Sequence, residues 1–254
     1  MIGTAALTFA DPREAADLGA FLSRLLRFDR AAAVRLLAVP EPRPVDPMEP
    51  DEQGEPREAG ERAGGSATAG GVLAVYGRLP LGGSGVLALR TAQLAGPAPA
   101  ADATVSAGQL LDAVDEERGA VVLPPPVTGP AWAGMLPPRT GWQPLGSTDV
   151  DLVMPQLMES VREFKVRADE VPEHHRSRAV LDRIADEIWA RPLAALPEVP
   201  LRAAHAAYRI GFLHPGAPLT AHRAGGWLRL TAPHGTVALR TAVPGAGLGL
   251  TPLG

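Results

Sequence analysis

The chain has 254 residues and a formal net charge of −4; 46% of its residues are hydrophobic, 4% are aromatic and none is cysteine. This composition is sufficient for a buried core, and the lack of cysteine excludes disulfides, thiolate metal sites and thiol nucleophiles. All but one of the 24 basic residues are arginine, a bias typical of a high-G+C bacterial genome. Because there is neither a signal-peptide pattern nor a long apolar run, we expect a cytoplasmic protein with no membrane span.

The N-terminal region predicts a helix followed by a strand. Asp11 and Glu14 have the spacing of a capping box, and Pro12 suits the first helical position. Apolar residues then recur every three or four positions over 15–26, as in a helix with one buried face. The apolar run 33–39, which Pro40 ends, predicts a strand.

Residues 41–68 predict a disordered acidic insert. The segment contains five prolines, eight acidic residues and three arginines, a net charge of −5. It has too little apolar surface to offset the entropy of ordering. The rest of the chain has a net charge of about +1, because the whole chain carries −4 and the insert −5. We therefore expect a nearly neutral body, which disfavours nucleic-acid binding.

Further elements follow along the chain. The patterns predict a hairpin, a short helix opened by the Ser106–Gln109 capping box, a Pro/Trp-rich crossing segment, three helices and a strand. Their expected limits are 72–79 and 86–94 for the hairpin, 107–117 for the short helix, 121–123 for a small strand, 124–148 for the crossing segment, 152–169, 174–191 and 201–212 for the helices, and 219–222 for the last strand.

A short repeat predicts the overall plan. The segment Gly85–Ala92 and the segment Gly235–Ala242 are identical at six of eight positions. A helix and strand precede each copy, so we predict an α+β fold with two αβββ-like units and, as a hypothesis, a pseudo-twofold relation. The expected divisions are an N-terminal unit (1–123), the crossing segment (124–148), a helical segment (149–200) and a C-terminal unit (201–254).

No pattern in the sequence matches a known catalytic, cofactor or metal site. Gly82–Gly85 departs from the nucleophile-elbow pattern, and the single lysine, Lys165, is not part of a phosphate-binding loop. His174 and His175 are adjacent and would point in different directions on a helix, which does not suit a metal. Asp182 and Asp186 share a helix face with nearby arginines, as in a salt-bridged surface. We predict no catalytic residue, no cofactor and no metal, and we lean against an enzyme.

The leading hypothesis is a non-catalytic cytosolic protein-binding or adaptor protein. Its partner-binding residues are predicted to be Trp132 and Trp142 in the crossing segment and Leu87, Leu89 and Arg90 in the repeat, because sheets commonly bind partners by an edge or a face. Two alternatives remain open: an enzyme with a site in the cleft between the halves, and a regulator of chromosome partition or cell division. The sequence indicates a protein partner without identifying it.

Two segments carry a resemblance to a known family. Residues 86–94 (VLALRTAQL) and 231–235 (TAPHG) resemble segments of EspG-type chaperones of specialised secretion systems. The resemblance implies a quasi-twofold αβ plan with helices between the halves. It also implies a secreted helical substrate as the partner, bound near the first hairpin. The acidic insert and the Pro/Trp-rich segment depart from that pattern.

Overall fold

The computed structural model describes residues 6–40, 70–81, 85–96 and 100–241. The fold is α+β, with 36% helix and 37% strand, as predicted. The insert 41–68 and the Gly82–Ser84 turn lie outside the described residues. The strands are β1 (Ala6–Thr8), β2 (Ala33–Pro40), β3 (Gly71–Leu79), β4 (Val86–Leu94), β5 (Ala101–Ser106), β6 (Val114–Asp115), β7 (Ala120–Val122), β8 (Gln143–Asp149), β9 (Pro192–Leu193), β10 (Leu196–Pro200), β11 (Pro218–Ala224), β12 (Trp227–Ala232) and β13 (Gly235–Arg240). The helices are α1 (Arg13–Phe28), α2 (Ala107–Asp112), α3 (Val150–Glu170), α4 (Arg178–Trp189) and α5 (Leu201–Ile210).

A single antiparallel sheet of eight strands joins the N-terminal and C-terminal parts of the chain. Its strand order is β5-β2-β3-β4-β13-β12-β11-β8. The two hairpins of the repeat meet at its centre, where β4 and β13 pair with Leu87 opposite Ala238 and Leu89 opposite Thr236. The predicted hairpin 72–79/86–94 and the predicted strands 33–39 and 219–222 are therefore confirmed within one or two residues.

The core lies on one face of this sheet, which we call the helix face. Helix α1 places its predicted apolar stripe there: Ala15, Leu18, Phe21, Leu22 and Leu25 are all buried. Helix α5 contacts β12, β13 and β4, and α3 and α4 pack against α5. The approach of α1 is close, since a Cβ added to Gly77 of β3 would lie 2.6 Å from a methyl carbon of Leu25. Glycine at this position therefore allows helix and sheet to touch.

Three local predictions were wrong in detail. The predicted helix 107–117 ends at Asp112, because Asp115 accepts a hydrogen bond from the backbone N–H of Arg118 and turns the chain into the β6–β7 hairpin. The predicted helix 174–191 begins only at Arg178, where the Ser177 side chain caps it. The capping box at the start of α1 is incomplete. Asp11 accepts a hydrogen bond from the backbone N–H of Arg13, but the Glu14 carboxylate accepts from the Arg90 side chain of β4 instead of capping the helix.

Both units contain one helix followed by three antiparallel strands, α1-β2-β3-β4 and α5-β11-β12-β13. The pseudo-twofold rotation between them stays a prediction, which superposing residues 70–92 on 225–241 would test.

The edge strands β5 and β8 were not predicted from the sequence. The expected division at 148/149 falls inside β8, one residue before its end, while those at 123/124 and 200/201 fall after β7 and between β10 and α5. No helix in the described ranges has the length and apolarity needed to cross a membrane.

The predicted crossing segment runs over the other face of the sheet, which we call the outer face. It starts beside the β5 edge, where the N–H of Val127 donates to the carbonyl of Thr104 over 2.8 Å. It then contacts β13, since Arg240 lies 3.8 Å from the sulfur of Met135. It reaches the opposite edge as β8, in which Gln143 pairs with Arg223 of β11. The segment therefore covers part of the outer face.

His205 of α5 makes stability depend on pH. Its ring stacks on Trp189 at 3.9 Å between centroids, its side chain is 7% exposed, and burial lowers its pKa from about 6.5 to about 4. Because the unfolded chain binds the proton more readily, stability is full above pH 6.5 and falls as pH decreases towards 4. We expect about 2 kcal/mol of stability to be lost through this residue between pH 7 and pH 5.

Urea unfolding at pH 7, 6 and 5 measures this loss. His205→Gln should show a shallower pH dependence than the native chain. His175→Gln, at an exposed position, is the control and should leave the dependence unchanged. Equal slopes in all three proteins would contradict a buried neutral His205.

Candidate partner-binding groove

The outer face contains a cavity of about 220 Å³ between the central strands and the crossing segment. Strands β3, β4, β12 and β13 form its floor, and the stretch from Pro137 to Trp142 forms its wall. Its lining residues are Tyr76, Leu87, Leu89, Pro137, Pro138, Arg139, Trp142, Arg229, Thr236 and Ala238. We call this cavity the outer groove.

Strand alternation gives the groove its apolar floor. Successive side chains of a strand point to opposite faces. In β4, Ala88 belongs to the core on the helix face, so Leu87 and Leu89 face outward. Leu87 lies opposite Arg78 and Ala238 in the neighbouring strands. Leu87 and Tyr76 are only 7% and 8% exposed although neither belongs to the core cluster, which shows how closely the groove is packed at its base.

An arginine–tryptophan pair is part of the groove lining. The guanidinium carbon of Arg229 lies 4.4 Å from the ring centroid of Trp142, within the range of a cation–π contact. The Trp142 indole N–H donates to the carbonyl of Pro138 over 2.8 Å, which fixes the ring. Burial lowers the pKa of Arg229, and its Nε is buried without a hydrogen-bond partner. This guanidinium is therefore partly desolvated, and its contact with Trp142 replaces only part of the lost hydration.

The groove carries positive charge, and no carboxylate is among the described residues that line it. Its two charged groups are Arg229 and Arg139, and neither is in an ion pair within the described part of the chain. Burial raises the pKa of the Tyr76 hydroxyl, against the opposing effect of Arg139. On the same strand as Arg229, Trp227 is covered by Arg240 at 5.6 Å. The outer face thus combines cations, aromatic rings and apolar side chains.

Arg90, one of the predicted partner-binding residues, lies on the opposite face. Its guanidinium donates to Glu14 (2.9 Å), to Asp17 (2.6 Å) and to the carbonyl of His234 (2.7 Å). Arg90 is 8% exposed, because strand alternation places it with Ala88 under α1. It connects α1 and β4 with the β12–β13 turn, so it holds the two halves of the chain together.

Trp132 lies apart from both of these sites. It lines a larger cavity of about 690 Å³ beside Phe28, Arg78 and Arg178. The predicted partner-binding residues are therefore divided among three places, with Leu87, Leu89 and Trp142 together in the outer groove. Sequence reasoning missed Tyr76, Arg139 and Arg229. Of these three, only Arg229 has a sequence pattern that indicates an outward-facing position, because it alternates with the apolar Leu228 and Leu230 in a strand.

The two carboxylates of α4 that the sequence singles out form ion pairs. Asp182 lies 3.6 Å from Arg178 and Asp186 lies 2.5 Å from Arg202, which confirms the predicted salt-bridged surface. No cluster of three or more histidine or carboxylate side chains suited to a metal ion occurs in the part of the chain that the structure describes.

Two family models match the chain. One, described as Domain of unknown function (DUF8010), covers residues 3–134, which is just over half of the chain. The chain belongs to this family. The second, Domain of unknown function (DUF8185), covers residues 137–244. No curated protein and no solved structure matches the chain.

The outer groove is formed by both matched regions. The DUF8010 region supplies Tyr76, Leu87 and Leu89, whereas Trp142 and Arg229 come from the DUF8185 region. The junction between the regions, at residues 134–137, lies in the crossing segment that forms the groove wall. The groove therefore exists only when both regions are assembled in one sheet.

Proposed function

We propose that this protein is a non-catalytic binding protein that docks a protein partner in the outer groove. The observation that carries the proposal is the composition of the groove, whose described lining has a floor of leucines, an arginine stacked on an aromatic ring and no carboxylate. Buried apolar area supplies affinity, and tryptophan, tyrosine and arginine are the residues most often found at the centres of protein interfaces. All three types are present here within one cavity.

The junction around Arg90 is less suited to a ligand. Its arginine already donates to two carboxylates and a carbonyl, so a ligand would have to displace strong internal bonds. The surrounding cavities are about 290 and 130 Å³, and the smaller one is lined largely by side chains of α1 and the α5–β11 loop. We interpret this junction as structural. The alternative hypotheses are an enzyme with a site between the halves, a secretion chaperone, and a regulator of chromosome partition or cell division. The crosslinking experiment below addresses them as well.

Site-specific photo-crosslinking in the native cell tests the proposal. A photoreactive phenylalanine analogue at Leu89, which is only half-buried, should crosslink a distinct protein. The same analogue at Arg183, exposed on α4, is the control and should not. A partner captured only at Arg183, or no protein captured at either position, would reject the groove as the docking site.

A further inference from the structure

Three features of the outer face bear on what its partner is made of. The first is the charge of the groove. Arg139 and Arg229 line it, and the lining residues that the structure describes include no aspartate or glutamate. Arg229 is half-buried, and a cation removed from water without an anion nearby is costly, so a ligand that brings a carboxylate recovers energy that the free protein lacks.

The second feature is the way in which Arg229 is held. Trp142 lies against its guanidinium at 4.4 Å and is itself anchored to Pro138. A guanidinium stacked on an indole is fixed in orientation while its edge stays available for a carboxylate. The interaction partner therefore meets a preorganised donor, which reduces the entropy lost on binding.

The third feature is the shape of the surface around the groove. Beyond the crossing segment the outer face continues along β3 and β4 over side chains of small or moderate size, such as Ala74 and Thr91. An extended segment can lie across such strands and insert an apolar side chain over Leu87 and Leu89. A bulky globular surface would meet the raised wall at Pro137 and Pro138 first.

From these observations we infer that the partner segment is an acidic, extended peptide, whose carboxylates pair with Arg139 and Arg229 while an apolar side chain occupies the groove floor. The inference rests on the proposed function. It specifies the chemistry of the partner, which that proposal leaves open. A peptide fits better than a nucleic acid, because the body of the chain has a net charge of only about +1 and phosphate backbones need clustered positive charge.

Binding of labelled model peptides to the full chain tests the inference by fluorescence anisotropy. The probes are a peptide of alternating glutamate and leucine, the same peptide with lysine for glutamate, the same peptide with glutamine for glutamate, and an oligothymidylate of similar length. We expect the glutamate peptide to bind at least about tenfold more tightly than the glutamine peptide, and its affinity to fall with added salt. The lysine peptide should not bind.

Variants of the two arginines locate the effect. Arg229→Met and Arg139→Met should each weaken binding of the glutamate peptide by about tenfold, the change that one strong charged contact of ~1.4 kcal/mol gives. Arg183→Met removes an equal charge from an exposed site on α4 and should have no effect beyond the small change in net charge. Because Arg139 is exposed, its replacement tests the inference even if Arg229→Met unfolds the protein.

Each other outcome overturns the inference in a distinct way. Equal binding of the glutamate and glutamine peptides would show that the groove does not select charge. Tight binding of oligothymidylate with none of the glutamate peptide would assign the surface to a nucleic acid. If crosslinking at Leu89 captures a partner whose binding survives Arg139→Met and Arg229→Met unchanged, the acidic chemistry is wrong while the docking site stands. If nothing is captured at Leu89, the proposed function itself fails.

Discussion

Replacing Arg90 by methionine is expected to lower the free energy of unfolding by about 3 kcal/mol. The change removes three hydrogen bonds that connect α1, β4 and the β12–β13 turn. The loss is smaller than for a fully buried ion pair, because the Glu14 and Asp17 side chains stay 23% and 47% exposed and can be hydrated. For a chain of this size the thermal midpoint should fall by several degrees, at about 2–4 °C per kcal/mol.

Thermal and urea unfolding followed by circular dichroism measure this effect. The matched control is Arg178→Met, which breaks the ion pair with Asp182 at an 86% exposed side chain. We expect that control to change stability by less than about 0.5 kcal/mol. If the two variants shift the midpoint equally, Arg90 does not hold the halves together.

Gly235→Ala is the second substitution with a large expected effect, a loss of about 2–3 kcal/mol. Gly235 is one of the glycines shared by the two copies of the repeat, and it begins β13. A Cβ at this position would lie 2.4 Å from Cζ of Phe212. That ring is 3% exposed and stacks on Phe21 at 6.0 Å between centroids, so it has little space to move away.

Two other glycines separate this clash from general effects of adding a methyl group. At Gly134 an added Cβ meets no atom within 4 Å, and at Gly216 it also meets none although the backbone φ is +70°. We expect Gly134→Ala to be nearly neutral and Gly216→Ala to cost about 1 kcal/mol from its backbone conformation alone. A cost for Gly235→Ala no larger than that for Gly216→Ala would show that the Phe212 ring relaxes freely.

The elements that the sequence predicts well are those whose partners are close along the chain or whose pattern is long. The stripe of α1 lies in a helix of 16 residues, and the β3–β4 and β12–β13 hairpins need only a local turn. By contrast, β5 (ADATVS) and β8 (QPLGSTD) are edge strands made mostly of small and polar residues. They become strands through pairing with β2 and β11, which are distant in sequence, and no local pattern indicates that pairing.

The candidate site was only partly predictable for the same reason. The run Leu87–Arg90 looks like one cluster in sequence, but alternation in β4 sends Arg90 to the opposite face from Leu87 and Leu89. Which face is buried depends on where the helices pack, and a strand taken alone does not specify that. The contact between Trp142 and Arg229 likewise depends on the path of the crossing segment over the sheet.

The pairing of β4 with β13 has a consequence for how this chain can be divided. In the described part of the sheet, three residue pairs of β4 and β13 join the two four-stranded halves: Leu87–Ala238, Ala88–Val237 and Leu89–Thr236. A chain cut between residues 134 and 137 would yield fragments that each present one unsatisfied strand border, the kind of border that recruits any compatible strand. Such fragments are suited to complementation. Each fragment alone is prone to aggregate through its unpaired strand, and the two together can restore a continuous sheet without a covalent link.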